Sequence, residues 1–426
     1  MSVGVVFFAL MLLGMPIGFA IGLAGLTGLL GMGSERMLLT GVSKLFTGLD
    51  SFPFLAMPFF ILAGEIMNHI GITQQLMRLA HVMVGHFRGG LAQANMIASV
   101  LFAGLTGAAT ADAAAFGKTL VPEMVRQGYR RDYACAVTAA GSIIGPTIPP
   151  SGLMVVYGSL MGVSIGGLFA AGILPGLAIC AVCMAIIALG AARNGLPKAE
   201  KRASLRLLLV TAWRSLAALV MPVIILGGIL GGIVTPTEAA SLAVAYALFV
   251  GAVIYRNLRL ADLYEMLLRT ARITGVIFAI IAFASMLGFW MSFERIPQAV
   301  AQVALSVSDN RYVIILLIVG ILLAIGMVMD ITAILIILAP VLVPLADDIG
   351  LQPIHSGIIF VLALNISLMT PPVGACLFVL SSVTGERLEA IAAKLWPFLI
   401  AEIGVLLVFA YWEDLALLVP RALGFA

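Results

Sequence analysis

At 426 residues, 62% of them hydrophobic and 10% charged, the chain falls well below the roughly 25% charged residues of a soluble globular domain. With a mean hydropathy of +1.17 it excludes a water-exposed fold and reads as an all-α polytopic membrane protein. The formal net charge of +3 comes without a basic tail or cluster, so nucleic acid is not a partner.

In chain order, candidate spans cover about 3–31, 52–69, 133–160, 168–192, 208–230, 235–255, 274–293, 355–385 and 396–419. No basic region precedes the first apolar run, so no cleavable signal peptide is expected. That run contains Gly14-Met15-Pro16 and is compatible with one tilted helix or two pieces. Two further apolar stretches, 91–125 and 312–346, are too long for one span and lack a charged loop for a turn. Each has small or polar residues at its middle, and each reads as a re-entrant helical hairpin whose tip is buried in protein.

The two hairpins belong to a repeat at an offset of 222 residues. Gly104 answers to Gly326, Thr110 to Thr332, and Leu120-Val121-Pro122 to Leu342-Val343-Pro344. Gly128 answers to Gly350, and Pro149-Pro150-x-Gly152 to Pro371-Pro372-x-Gly374. Paired helix-breaking residues in two halves of an apolar chain point to a transporter's binding site. An earlier echo, Pro58 to Gly64 against Pro222 to Gly228, extends the repeat at a different offset.

Lys and Arg orient the chain. Loops at 70–90, 126–132, 193–207, 256–272 and 386–395 hold sixteen of the 23 basic residues, among them Arg193, Lys198 and Lys201; the opposite loops and tail hold five. The richer side is cytoplasmic by the positive-inside rule. Five crossings between Arg131 and Asp347 then put the hairpins on opposite sides, an inverted-topology repeat. The expected organisation is N-terminal scaffold helices (1–90) and a first transport repeat (91–172) with hairpin 91–125 and broken helix 133–160. Central scaffold helices with basic interfacial arms (173–311) follow. A second transport repeat (312–385) has hairpin 312–346 and broken helix 355–385, before a C-terminal helix (386–426).

The chemistry concentrates at the interruptions. The first hairpin reads GLTGAATADAAAFGKTLVPEM from Gly104, and the second GMVMDITAILIILAPVLVPL from Gly326. Asp112 and Asp330 stand near the two tips, and each is either a helix N-cap or a participant in ion or substrate binding. Half-helix N-termini favour a carboxylate, while half-helix C-termini and unwound carbonyls favour a cation. The broken helices read GSIIGPTIPPSG from Gly141 and NISLMTPPVG from Asn365. Tandem prolines free carbonyls in the preceding turn, and Ser142, Thr147, Asn365 and Thr370 supply side-chain oxygens beside them. Oxygen-only ligation suits a hard cation, and no transition-metal site is expected. Elsewhere the readings are structural. TPTEAAS at 235–241 starts a helix, Glu65 pairs within its span, Lys118 snorkels or makes a structural pair, and Cys180 and Cys183 are small packing residues.

Together PFFILAGEIM (58–67), ADAAAFGKTLVPEM (111–124), GPTIPPSG (145–152), TPTEAA (235–240), GMVMDITA (326–333) and TPPVG (370–374) resemble the large membrane subunit of tripartite ATP-independent periplasmic (TRAP) transporters over essentially the whole chain. The resemblance implies a sodium-coupled importer of organic anions of the carboxylate class, such as dicarboxylates, in the bacterial inner membrane. An elevator-type transport domain would move against a scaffold. It implies as partners a small four-helix membrane subunit, expected as a separate chain, and a periplasmic substrate-binding protein. No cofactor beyond the coupling sodium is implied. The implied sodium residues are Thr106, Gly107, Ala109, Ser142, Gly145 and Pro146 in the first half, and Gly326, Asp330, Thr332, Asn365, Thr370 and Pro371 in the second. Thr110, Asp112, Pro150, Ser151 and Pro372 are the candidates for substrate between them. The first tip in this family often reads Ser-Gly-Ser; here it is Thr106-Gly107-Ala108, so a hydroxyl is lost at 108 and one is available at Thr110.

Two alternatives stand beside that reading. One is an ion-coupled transporter of the same superfamily that works without a binding protein. The other is an intramembrane aspartyl protease using Asp112 and Asp330, against which Asp330 follows GMVM rather than Gly-x-Gly.

Overall fold

The structure is a computed structural model, which describes residues 3–191, 195–197, 202–308 and 310–426. The side chains of Leu105 and Thr106 also lie outside that description, as do Arg193, Lys198 and Lys201 of the basic arm. All regular structure among the described residues is helical. Among the described residues, five helices are long and apolar enough to cross a membrane, or up to eight if each sharply bent pair is one span.

The N-terminal run is two helices, α1 (Val3–Leu12) and α2 (Ile17–Gly31). Gly14 takes a φ of +80° and Pro16 supplies no N–H, so the chain breaks between them. After α3 (Glu35–Thr47) and a 3₁₀ turn at Phe52–Leu55 come α4 (Ala56–His69) and α5 (Ile72–Val84). The first hairpin is α6 (Gly90–Thr106) and α7 (Ala109–Arg126). The first broken helix is α8 (Arg131–Ser142), the single turn α9 (Ile144–Thr147) and α10 (Gly152–Met161). The next helices are α11 (Ile165–Gly190), α12 (Leu205–Arg214), α13 (Leu216–Leu230) and α14 (Pro236–Phe249), the last ending in a π turn, Val250–Ile254. They are followed by α15 (Leu260–Phe293) and α16 (Ile296–Val307). The second hairpin is α17 (Arg311–Gly326) and α18 (Ile331–Asp348), and the second broken helix α19 (Pro353–Ser367) and α20 (Ala375–Thr384). The chain closes with α21 (Leu388–Tyr411), α22 (Glu413–Ala416) and α23 (Leu418–Ala422).

Several sequence expectations need correction. The basic segment at 256–272 is helical from Leu260 and merges with the expected span at 274–293 into one 34-residue helix. The segment at 70–90 contains α5, which buries Ile72, Leu76, Met77, Ala80 and Val84 on one face. The expected boundary at 172 falls inside α11. The first two of these segments mix charged or polar residues with apolar ones at helical spacing, so a reading weighted to hydropathy misses them.

The α2–α15 contact shows how small residues let helices approach. Gly18, Gly22, Gly25 and Gly28 line one face of α2 and receive Ile280, Phe283, Leu287 and Trp290 of α15. α14 begins with a capping box. Glu238 N–H donates to Thr235 Oγ1 at 3.3 Å and Thr235 N–H to Glu238 Oε2 at 2.7 Å, with Pro236 at the first helical position. Glu65, in α4, lies 3.9 Å from Arg269 of α15, and Lys118 is exposed on α7.

Elements of like kind recur in the same order around the two interruptions. α7 packs against α20, and α18 against α10; α6 and α7 contact α8 and α9, as α17 and α18 contact α19. α21 packs on both α8 and α19, and α11 joins it. The peptide bond between the paired prolines is cis in both breaks.

Candidate functional site: two hairpin tips against two helix breaks

The first tip turns on Gly107, which ends α6 with a φ of +59°. A Cβ there would stand 2.7 Å from the carbonyl oxygen of Pro150, so the tip backbone lies directly on the first break. Only glycine combines the left-handed turn with that approach. Ala108 is the N-cap of α7 and offers no side-chain cap. Ala109 and Asp112 therefore lie inside the helix, both buried, and Thr110 is half-buried. Of the two readings of Asp112, the helix N-cap is thereby removed. Its carboxylate Oδ2 instead presses against the Cα of Gly145 in α9, where any side chain would collide with it. Gly145 and Pro146 are buried in that single turn.

The second tip is built differently. Gly326 ends α17 against the Ser367 side chain, where a Cβ would also collide. Asp330 is the N-cap of α18, accepting from the Thr332 and Ala333 N–H groups at 2.9 and 3.2 Å. Of the two aspartates, only Asp330 is a cap, and it is exposed; Thr332 is half-buried.

The two breaks meet at one hydrogen bond, from Asn365 Nδ2 to Thr147 Oγ1 at 3.1 Å. Both residues are fully buried. Four of the hydroxyls nearby spend their hydrogens on backbone carbonyls in the preceding turn. Ser142 donates to Ala139, Thr147 to Ile143, Ser367 to Leu364 and Thr370 to Ile366, at 2.7 to 2.8 Å. What those oxygens still present is lone pairs. Asn365 Oδ1 and Ser151 Oγ are buried and have no hydrogen-bond partner among the described residues. Asn365 Oδ1 and the four hydroxyls with committed hydrogens are thus buried acceptors, an environment suited to an electropositive guest.

Not every expected residue joins. Pro371 is half-buried and Pro372 exposed, whereas Pro150 and Ser151 are buried. The Thr106 side chain lies outside the described residues. A cavity of about 350 Å³ lies elsewhere, among Pro53, Ser159, Ser164, Ile229, Pro236 and Phe425, and none of the expected site residues lines it. Among the described residues no group of three or more His, Cys, Asp or Glu could hold a metal ion.

Sequence reasoning missed several buried polar residues. Asn95 of α6 donates to Thr138 Oγ1 of α8 at 2.8 Å, and Ser99 lies beside Gly141. Cys183 donates to Glu402 of α21 at 3.2 Å. Glu402 is the one acidic residue in the apolar run 396–411, a signal present in the sequence. Cys183 is a packing residue with a polar partner, and all four cysteines are free and buried.

Hairpins that abut broken helices within an all-helical apolar chain define a membrane transporter fold. The YdaH transporter of Alcanivorax borkumensis shares it at a TM-score of 0.60 and 17% identity, covering 89% of this chain and 88% of that one. The sequence relationship is closer still: the model of the tripartite ATP-independent periplasmic transporter DctM component matches residues 4–415, and the chain belongs to that family. It is 37% identical over 415 residues to the sialic acid TRAP transporter large permease of Vibrio cholerae, covering 97% of this chain and 96% of the relative. It is 36% identical over 431 residues to the C4-dicarboxylate TRAP transporter large permease of Rhodobacter capsulatus, covering 98% and 97%. These relatives are transporter permeases, not enzymes, which sets the aspartyl-protease alternative aside.

Proposed function

We propose that the chain imports an organic acid across the bacterial inner membrane, driven by sodium, as the large permease of a three-part system. The observation that carries this reading is Asn365 Oδ1: a buried acceptor with no donor among the described residues, at the meeting of two helix breaks and beside hydroxyls whose hydrogens are already committed. A sodium ion supplies the positive charge such oxygens lack. One ion is assigned to each tip and break: Gly107 to Ala109 with Ser142 to Pro146 and, in the second half, Gly326 to Thr332 with Asn365, Thr370 and Pro371.

The substrate carboxylate is assigned to the space between them, near Thr110, Asp112, Pro150 and Ser151, where the α7 and α10 N-termini carry partial positive charge. The small exposed Pro372 makes a weaker contribution on this reading. The relatives' names, sialic acid and C4-dicarboxylate, support a carboxylate class. The hairpins are re-entrant, related by inverted topology, and move with their broken helices (91–172 and 312–385) as an elevator. Residues 1–90 and 173–311 serve as scaffold, joined by the small four-helix subunit, with a periplasmic binding protein delivering substrate to the outer face.

The test is uptake into proteoliposomes holding the chain with its small subunit and binding protein. Substrate accumulation under an inward sodium gradient supports the reading. Equal accumulation when potassium replaces sodium throughout would remove the coupling.

A further inference from the structure

Glu402 lies in the middle of α21, fully buried. Cys183 Sγ of α11 donates to its Oε1 at 3.2 Å, and its Oε2 has no hydrogen-bond partner among the described residues. Among the described residues no Lys, Arg or His forms an ion pair with it. A thiol is a weak donor and brings no charge. An ionised carboxylate in such a place lacks what a buried charge requires, a counter-ion or several strong donors. With a proton, the same carboxyl needs neither. Ionisable groups facing the interior of a helix bundle are the positions from which membrane transporters build proton relays.

The location ties the group to the candidate site. α21 packs on α8 and α19, which carry the first and second breaks, and on α11. α20, which follows the second break and carries the buried Cys376, packs on both α21 and α8. The other titratable groups around α21 are few. α11 presents Cys180 and Cys183. α8 brings Tyr133 to Phe398 and Cys135 to Thr384, with Asp132 held by Arg130. At the far end, about two turns away, His355 of α19 bonds the Phe409 carbonyl, and Arg311 of α17 pairs with Glu413 of α22.

We infer that Glu402 is a proton-binding site of the transport cycle, taking up one proton and releasing it as the helices around the two breaks rearrange. The carboxylate oxygen gains a proton from water on one face and the carboxylic acid returns it to water on the other, so one proton moves with each turnover. The inference rests on the transport reading above and adds a second coupling ion to it.

The experiment uses the assembled transporter in proteoliposomes under a fixed sodium gradient. Uptake is measured against external pH for wild type and Glu402→Gln, with an internal pH dye. The wild type is expected to show a limb changing about tenfold per pH unit, the slope of one proton, together with substrate-dependent proton movement. Whatever uptake Glu402→Gln retains is independent of external pH and moves no protons. An unchanged pH profile in a transporting Glu402→Gln protein overturns the inference. Infrared difference spectra of the wild-type protein provide the second measurement. A carboxylic-acid C=O band that responds to pH and shifts in Cys183→Ala supports the site; its absence overturns it. Should wild type accumulate no organic acid, the transport reading fails, and the infrared band alone decides the proton site.

Discussion

Replacing Asn365 by Ala separates the structural from the ion-binding role of the paired breaks. The structural loss is one buried side-chain hydrogen bond, Nδ2 to Thr147 Oγ1 at 3.1 Å, worth about 1 kcal/mol net. Thr147 keeps its own bond to the Ile143 carbonyl, so no buried donor is orphaned. The loss of Oδ1 weighs more. As an acceptor with no donor, it is free to face a cation, and a bond to a charged group contributes about 1.5–3 kcal/mol. At about 1.4 kcal/mol per factor of ten, the sodium concentration for half-maximal uptake should rise roughly 10- to 150-fold. Sodium titration of uptake reads this effect, with thermal unfolding in sodium-free buffer as the control for folding. A folded Asn365→Ala protein whose sodium half-saturation stays within about twofold of wild type would refute the ligand role.

Gly145→Ala places a methyl where Asp112 Oδ2 now lies, deep in a turn that cannot give, and should abolish uptake while the protein still reaches the membrane; retained uptake would show that the contact is dispensable. Asp330→Ala should destabilise the start of α18 by about 1 kcal/mol, and Asp330→Asn should restore most of it, read as thermal stability. Equal effects of the two substitutions on sodium affinity would assign Asp330 a charge-dependent role beyond capping. Thr235→Ala breaks the α14 capping box and should lower stability by about 1 kcal/mol with sodium affinity unchanged.

The two hairpins and the two breaks are legible in the sequence because glycine and proline act locally. Gly107 takes a left-handed φ at no steric cost, and the tandem Pro149-Pro150 removes two successive N–H donors from the helix ladder. The cap at Asp330 is local too, reaching N–H groups only two and three residues on. Asp112 looks similar in sequence, yet its helix starts at Ala109, and what it meets is Gly145, thirty-three residues away. No local rule announces that contact. The Asn365–Thr147 bond and the Cys183–Glu402 bond join residues about two hundred positions apart, |i−j| of 218 and 219. They exist only once α9, α11, α19 and α21 have packed. α5 and the first half of α15 were hidden for another reason: their charges resemble loops to a hydropathy reading, and only their spacing shows a helix.

The central claim is that each hairpin tip closes a sodium ion against its helix break. A cryo-electron microscopy map of the assembled transporter in sodium, compared with one in a sodium-free choline buffer, tests it most directly. The account predicts two sodium-dependent densities: one between Gly107 and the first break, from Ser142 to Gly145, the other between Gly326 and the Asn365 side chain. Identical maps in the two buffers, or sodium density away from both tips, would contradict it.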